Sequence, residues 1–382
     1  MENFTTTTAA VFTATTENLI FAVSKLKKVV AKNPIIPILE YIRLDHSGLT
    51  GTDLDRMLTI HIAGVPENMA PVLIPLAELD KTLKACKGAE IEISGTAEAV
   101  QIKSGGRAFK FAAADPANFP TVKNQDGELC EFTAEDCRRI FKAAEFCGRD
   151  ELRPSLTGVN IQAGRICGTD ANYLYTAEIS GGPAGAYATG ERGYILPANF
   201  AKVLSLKDCA AGLMANFRAD NRAEFAGAVT LKNGDCVRFT YSTRLIQETY
   251  PDYMAVIPQR DNGAAVLTFG KSEILESLTA AQICSNPITK MIRLDFTAAG
   301  AVLRAEDIDM ATEFTENLPA LVEFYNGAES GKIGFNSELL NDLISRTDDG
   351  TVALEYHAPN RPAVIRDLDQ IYLIMPMILN EC

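Results

Sequence analysis

The 382-residue chain has no tryptophan and only three histidines, His46, His61 and His357. A hydrolytic triad needs a positioned base, and none of these histidines stands near a serine or cysteine nucleophile motif. The nine cysteines are scattered, without a C-x-x-C pair or a Cys/His cluster at zinc spacing. That pattern speaks against a structural zinc site and suits a reducing compartment. No G-x-x-x-x-G-K-[ST] or G-x-G-x-x-G loop is present, so no nucleotide phosphate site is indicated and no cofactor is expected. Long apolar runs are also missing; none approaches the roughly 18 residues of a membrane helix. The opening "MENFTTTTAAVF" lacks a basic segment followed by an apolar one, so no leader, no membrane partner and a cytoplasmic location are expected.

Positive charge is in deficit, with a net charge of −13. Taken alone this disfavours nucleic acid as a partner, but an acidic molecule can present one basic face. The basic residues gather on segments with helical periodicity: Lys25, Lys27, Lys28 and Lys32; Lys81, Lys84 and Lys87; Arg138, Arg139, Lys142 and Arg149; Lys202 and Lys207; and Arg346. A surface so lined would attract duplex phosphates without reading bases.

One order of events recurs three times. A short strand leads into a helix with an apolar stripe, as in Leu19, Ile20, Val23, Leu26 and Val30, then Ile140, Ala143, Ala144 and Cys147, then Ile274, Leu278, Ala281 and Ile283. Alternating strands follow around an acidic turn: "GLTGTDLD", "RICGTDAN" and "LRAEDIDM". A second helix comes next, in "LIPLAELDKTLKACKG", "ILPANFAKVLSLKD" and "IGFNSELLNDLISRTDDG", and further strands close each unit. Repeats of this size are whole domains rather than solenoid units. The boundaries fall at 1–127, 128–260 and 261–382. The fold class is α+β, each domain an antiparallel sheet with two helices on one face. "SGGPAGAYATGERG" reads as a flexible connection between strands.

Asp53 with Asp55, and Asp307 with Asp309, form D-x-D pairs that could hold a divalent ion for an enzyme acting on DNA. The second repeat reads Asp170-Ala171-Asn172 and lacks one carboxylate. Thr and Asp also recur where a turn needs side-chain-to-backbone hydrogen bonds, so the structural reading is preferred. An acidic scaffold without DNA contact is a further alternative.

"NPIIPIL" (33–39), "GLTGTDLD" (48–55), "RPSLTG" (153–158), "GTDANYL" (168–174), "YPDYMAVIP" (250–258) and "YLIMPMIL" (372–379) occur in one order over nearly the whole chain. In these the sequence resembles the bacterial DNA polymerase III beta subunit, the beta sliding clamp family. The resemblance implies three tandem clamp domains and a head-to-tail homodimer closed into a six-domain ring around double-stranded DNA. It implies no catalytic activity. The clamp would be loaded by an ATP-dependent clamp loader, would tether the replicative polymerase and repair proteins through short hydrophobic motifs, and would be nucleoid-associated during replication.

Carried over by motif, a client-peptide pocket between the second and third domains is formed by Leu156, Thr169, Asp170, Tyr173, Leu174, Pro251, Val256, Leu373, Met375, Pro376, Met377 and Ile378. The DNA-facing set is Lys25, Lys28, Lys32, Lys81, Lys84, Arg138, Arg139, Lys142, Arg149 and Lys202. The resemblance implies a ring interface that pairs Phe109 and Phe111 with Ile283 and Cys284. The chain departs from the family pattern at Ala171-Asn172-Tyr173, at Met254-Ala255 and at Ile378, so a less basic, more apolar pocket rim is expected. Asn380-Glu381-Cys382 extend past the family's usual end.

Overall fold

A computed structural model of the chain describes residues 10–86, 88–96, 99–122, 125–183, 193–260 and 264–379. Lys87, most of the glycine-rich stretch and the final three residues fall outside it. The first repeat comprises β1 (Ala10–Thr15), α1 (Thr16–Leu26), β2 (Tyr41–Asp45), β3 (Gly48–Thr52), β4 (Arg56–His61), β5 (Val72–Pro75), α2 (Leu76–Ala85), β6 (Glu90–Gly95), β7 (Ala99–Ser104) and β8 (Arg107–Ala112). The second comprises β9 (Gly127–Phe132), α3 (Ala134–Phe146), β10 (Gly158–Gln162), β11 (Arg165–Thr169), β12 (Tyr173–Glu178), β13 (Tyr194–Pro197), α4 (Phe200–Val203), β14 (Leu213–Arg218), β15 (Arg222–Thr230) and β16 (Cys236–Arg244). The third comprises β17 (Ala265–Gly270), α5 (Lys271–Cys284), β18 (Met291–Thr297), β19 (Gly300–Asp307), β20 (Thr312–Leu318), a short β21 (Leu321–Phe324), β22 (Ser330–Asn336), α6 (Ser337–Ser345), β23 (Thr351–Tyr356), β24 (Ala363–Asp367) and β25 (Gln370–Ile374). With β21 set aside, the order strand–helix–four strands–helix–three strands recurs in each.

The chain forms two compact units, one of residues 1–141 with 180–247, the other of 142–179 with 248–382. In the first, an eight-stranded antiparallel sheet runs β5-β2-β3-β4-β16-β15-β14-β9, beside a four-stranded sheet β1-β6-β7-β8. In the second, a sheet runs β10-β11-β12-β25-β24-β23-β17-β21, beside a four-stranded sheet β20-β19-β18-β22. Strands β4 and β16 join halves of different repeats, and β12 and β25 do the same.

The apolar stripes account for the helices. Leu19, Val23, Leu26 and Val30 are buried, as are Ile140, Ala143, Ile274, Leu278 and Ala281. Ile20 and Ile283 depart from the stripe reading, at 49% and 82% exposure. The second helix of the second repeat is a single turn, because the Ser205 amide and hydroxyl turn back to Asp208 at 2.7 and 2.8 Å.

The shared Gly-Thr-Asp is a built turn. Thr52 Oγ1 donates to the Arg56 carbonyl at 2.8 Å and accepts from Leu54 N; Asp53 accepts from Arg56 N at 2.7 Å. Thr169 Oγ1 donates to the Tyr173 carbonyl at 2.7 Å and accepts from Ala171 N; Asp170 accepts from Tyr173 N at 3.0 Å. Leu54 and Ala171 hold matching left-handed φ values of 82° and 80°. The glycine before each threonine lets a helix approach. A Cβ on Gly51 would meet Leu26 Cδ2 of α1 at 3.1 Å, and one on Gly168 would meet the Ala143 carbonyl oxygen of α3 at 1.9 Å.

Candidate functional site

Strand alternation sorts the expected pocket residues. Leu174 pairs with Leu373 across β12 and β25. Both are buried and pack with Cys167, Val364 and Tyr253, with Tyr250, Ile257 and Ile371 against the cluster. Two anchors hold the 250–258 segment over this face: the Tyr250 hydroxyl donates to the Cys167 carbonyl at 3.2 Å, and Arg366 Nη2 donates to the Pro258 carbonyl at 2.6 Å. Burial pushes the Tyr253 phenol up to about 12, so it stays a neutral part of the apolar floor.

Above the floor stands an exposed rim. Val256 is 46% exposed and Met375 39%, with Met254 and Ile378 also outward and Pro251 exposed. After β25 the chain leaves the sheet: Met375 N donates to the Asn172 carbonyl and Met377 N to the Gly334 carbonyl, each at 2.8 Å. Pro376 between them cannot donate, which ends the ladder. Leu156 is buried beside Gly148, and Thr169 and Asp170 hold the turn. An apolar floor with a methionine rim suits short apolar anchors.

Tyr173 is not brought together with that floor. It points to the opposite face of β12, where its ring lies 5.0 Å from Phe146 and its hydroxyl meets Arg346 Nη1 at 3.3 Å. Tyr175 and Tyr372 share that face, fully buried. Tyr253, Cys167 and Val364 are floor residues that the motif-based set omits. The second tyrosine of "YPDY" is the signal that could have placed Tyr253.

The basic residues divide. Lys25 is paired with the buried Asp208. Lys81 reaches Glu78, Lys84 reaches Asp80, and Arg138 and Arg139 share Glu135. Lys142 is tied to Asp348 at 2.6 Å and to the Tyr372 hydroxyl at 3.0 Å. Lys28, Lys32, Arg149 and Lys202 are exposed and have no ion pair among the described residues. Burial, then the neighbouring Lys25, lowers the Lys28 ammonium from its ordinary value. The uncompensated positive charge is therefore smaller than a count of helical lysines suggests.

Phe109 and Phe111 are half-buried on β8, an edge strand that among the described residues pairs only with β7. Ile283 is exposed at the end of α5, and the half-buried Cys284 accepts from Thr312 Oγ1 at 3.4 Å. The D-x-D aspartates have structural partners: Asp53 with Arg56, Asp55 with Arg244, and Asp307 with Asn286 and the Asp309 amide. Among the described residues no His/Cys/Asp/Glu group has metal-holding geometry, and no helix is long and apolar enough to cross a membrane.

Tandem α+β repeats, with sheets joined between repeats, define a clamp-type fold. Residues 10–123 match the family described as DNA polymerase III beta subunit, N-terminal domain, and residues 254–378 match its C-terminal domain. The beta sliding clamp of Pseudomonas putida is 23% identical over 384 residues, covering 96% of this chain and 100% of the relative. That of Escherichia coli K12 is 24% identical with the same coverage. The crystal structure of DNA polymerase III subunit beta from Pseudomonas aeruginosa has a TM-score of 0.80 at 21% identity, covering 96% of this chain and 100% of that one. A Bartonella birtlesii sliding clamp bound to griselimycin has a TM-score of 0.82 at 21% identity, covering 97% and 100%. The chain belongs to the DNA polymerase III beta subunit family, the beta sliding clamps. Its role is that of a processivity subunit working with DNA and DNA polymerase III, not that of an enzyme.

Proposed function

We propose that two copies close head to tail around duplex DNA and tether client proteins through the Leu174–Leu373 face. One observation carries the closure. Each repeat contributes strands to two sheet halves, and two joints between halves already exist in the chain, β4–β16 and β12–β25. By element order, β20 is the counterpart of β4 and β12, and β8 is the counterpart of β16 and β25. Each of these two strands is an edge of its own four-stranded sheet. Exposed edges are normally blunted or paired, and pairing β20 with β8 of a second copy supplies the missing joint.

Side chains support the same reading. Counted from their caps at Thr133 and Gly270, Ile283 is the counterpart of Phe146. Counted from the two-residue turns closing β7–β8 and β24–β25, Phe109 is the counterpart of Tyr372. Phe146 is fully buried 6.1 Å from Tyr372; Ile283 is 82% exposed, as a residue awaiting its Phe109 would be. Within this reading the repeats are three clamp domains, 1–127, 128–260 and 261–382.

Tethering raises the effective concentration of a weakly bound polymerase. Clients, among them the replicative polymerase, a clamp loader and repair proteins, would insert leucine or phenylalanine anchors. The setting is the bacterial cytoplasm, at the nucleoid during replication. The deciding experiment loads the protein on nicked circular DNA with a clamp loader and then linearises the circle. A threaded clamp is retained on the circle and lost on linearisation. Equal retention on both forms would exclude topological binding.

A further inference from the structure

The turn geometry allows the client face to be mapped onto the first compact unit, residue by residue. Thr52 pairs with Met57 as Thr169 pairs with Leu174. Met57 then pairs with Ser242 as Leu174 pairs with Leu373, and Ser242 with Glu224 as Leu373 with Val364. Thr59 pairs with Thr240 as Thr176 pairs with Ile371. The connecting segments also correspond: Phe119-Pro120 stands where Tyr250-Pro251 stands, with Phe119 buried as the anchor. At the mapped place lies an open cleft of about 360 Å³, lined by these residues together with Arg43, Asp45 and His61.

The geometry is repeated but the chemistry is inverted. The floor of Leu174, Leu373, Val364 and Ile371 becomes Met57, Ser242, Glu224 and Thr240. Ser242 is 4% exposed, and its hydroxyl is buried without a hydrogen-bond partner among the described residues. Buried hydroxyls are nearly always satisfied by protein, water or ligand, so this one is available to a polar group of an occupant. The Glu224 carboxylate also has no partner among the described residues. Arg43 Nε lies 2.8 Å from Asp45 Oδ2, so its charge is matched by an ion pair, although the contact is not aligned as a hydrogen bond. Burial lowers the His61 imidazole, favouring its neutral form, and its Nε2 is engaged with Thr240 Oγ1 at 3.1 Å. The unmatched formal charge in the cleft is therefore negative.

We infer that this cleft is a second peptide-binding site, taking a segment of a partner protein anchored by an arginine or lysine side chain. A leucine or phenylalanine anchor is disfavoured there, because it would cover the Ser242 hydroxyl and the Glu224 carboxylate without pairing them. This goes beyond the client face and uses none of its residues.

The test uses the full chain labelled with ¹³C at methionine methyls and an acetylated glycine–serine pentapeptide with one central arginine, beside the same peptide with central leucine. The arginine peptide should shift the Met57 methyl and leave Met375 and Met377 in place. Glu224→Gln should weaken that binding about tenfold or more, as loss of a charged hydrogen bond requires. Glu224→Val with Ser242→Leu should move the cleft's preference to the leucine peptide. A Met57 methyl unmoved by the arginine peptide at millimolar concentration, or equal binding of both peptides, would overturn the inference. The Met375 and Met377 signals report the client face separately, so failure there is distinguishable.

Discussion

Asp136 shows how much one side chain can organise. Its carboxylate accepts from the amides of Thr133, Ser180 and Gly181 and from the Thr133 and Ser180 hydroxyls. Burial raises its pKa, but those hydrogen bonds outweigh burial and hold the carboxyl below its ordinary value. A depressed folded-state pKa contributes stability that is present above the unfolded value and lost as pH falls through the folded one. Denaturant titrations should therefore show stability falling below about pH 4, with a shallower fall in Asp136→Asn. Asp136→Ala should cost about 3 kcal/mol at pH 7, on the scale of lost charged hydrogen bonds. On the client face, Val256→Ala with Met375→Ala removes exposed rim atoms. Calorimetry should show leucine-anchored peptide binding lost while the melting temperature stays put. Leu174→Ala differs, because that residue is 3% exposed and its truncation should cost about 2–5 kcal/mol of stability.

At the scale of elements, the joints give a register. Thr312 occupies the place of Leu174 after the β19–β20 turn, and Lys110 the place of Leu373 after the β7–β8 turn. Thr312→Cys with Lys110→Cys should give a covalent dimer on a non-reducing gel under mild oxidation. A stronger crosslink from Thr315→Cys with Lys110→Cys would place the register elsewhere. Ile283→Arg should leave a chain of 41.3 kDa in light scattering where the parent is twice that.

Most of this architecture was legible in the sequence because helix stripes, caps and turn chemistry are local. Helix α3 and the two Gly-Thr-Asp turns follow from their own residues. Two features were not legible. The single turn of α4 depends on Ser205 and Asp208 competing for the backbone. The facing of Tyr173 is fixed by its one-residue offset from Leu174, which motif transfer ignores.

For the whole molecule, charge is the open variable. The helical lysines are largely neutralised by carboxylates of the same chain, so DNA attraction should rest on the unpaired cations. Reversing Lys28, Lys32, Arg149 and Lys202 to glutamate should shorten retention on circular DNA and flatten its dependence on salt. The same reversal at Lys81 and Lys84 should matter less. Unchanged retention in the first variant would assign the DNA contact elsewhere.

The unlike edges carry one more consequence. Strand β8 carries Arg107 and Lys110, and β20 carries Glu313 and Glu316. Like edges repel, so the contact proposed between copies would be heterologous, and a heterologous contact either closes or propagates. Nothing in the strand pairing itself counts subunits. A substitution that altered the angle between successive joints, without touching either edge, should convert a discrete assembly into an open filament. Concentration-dependent viscosity in such a variant would reveal a polymer built from an unaltered interface.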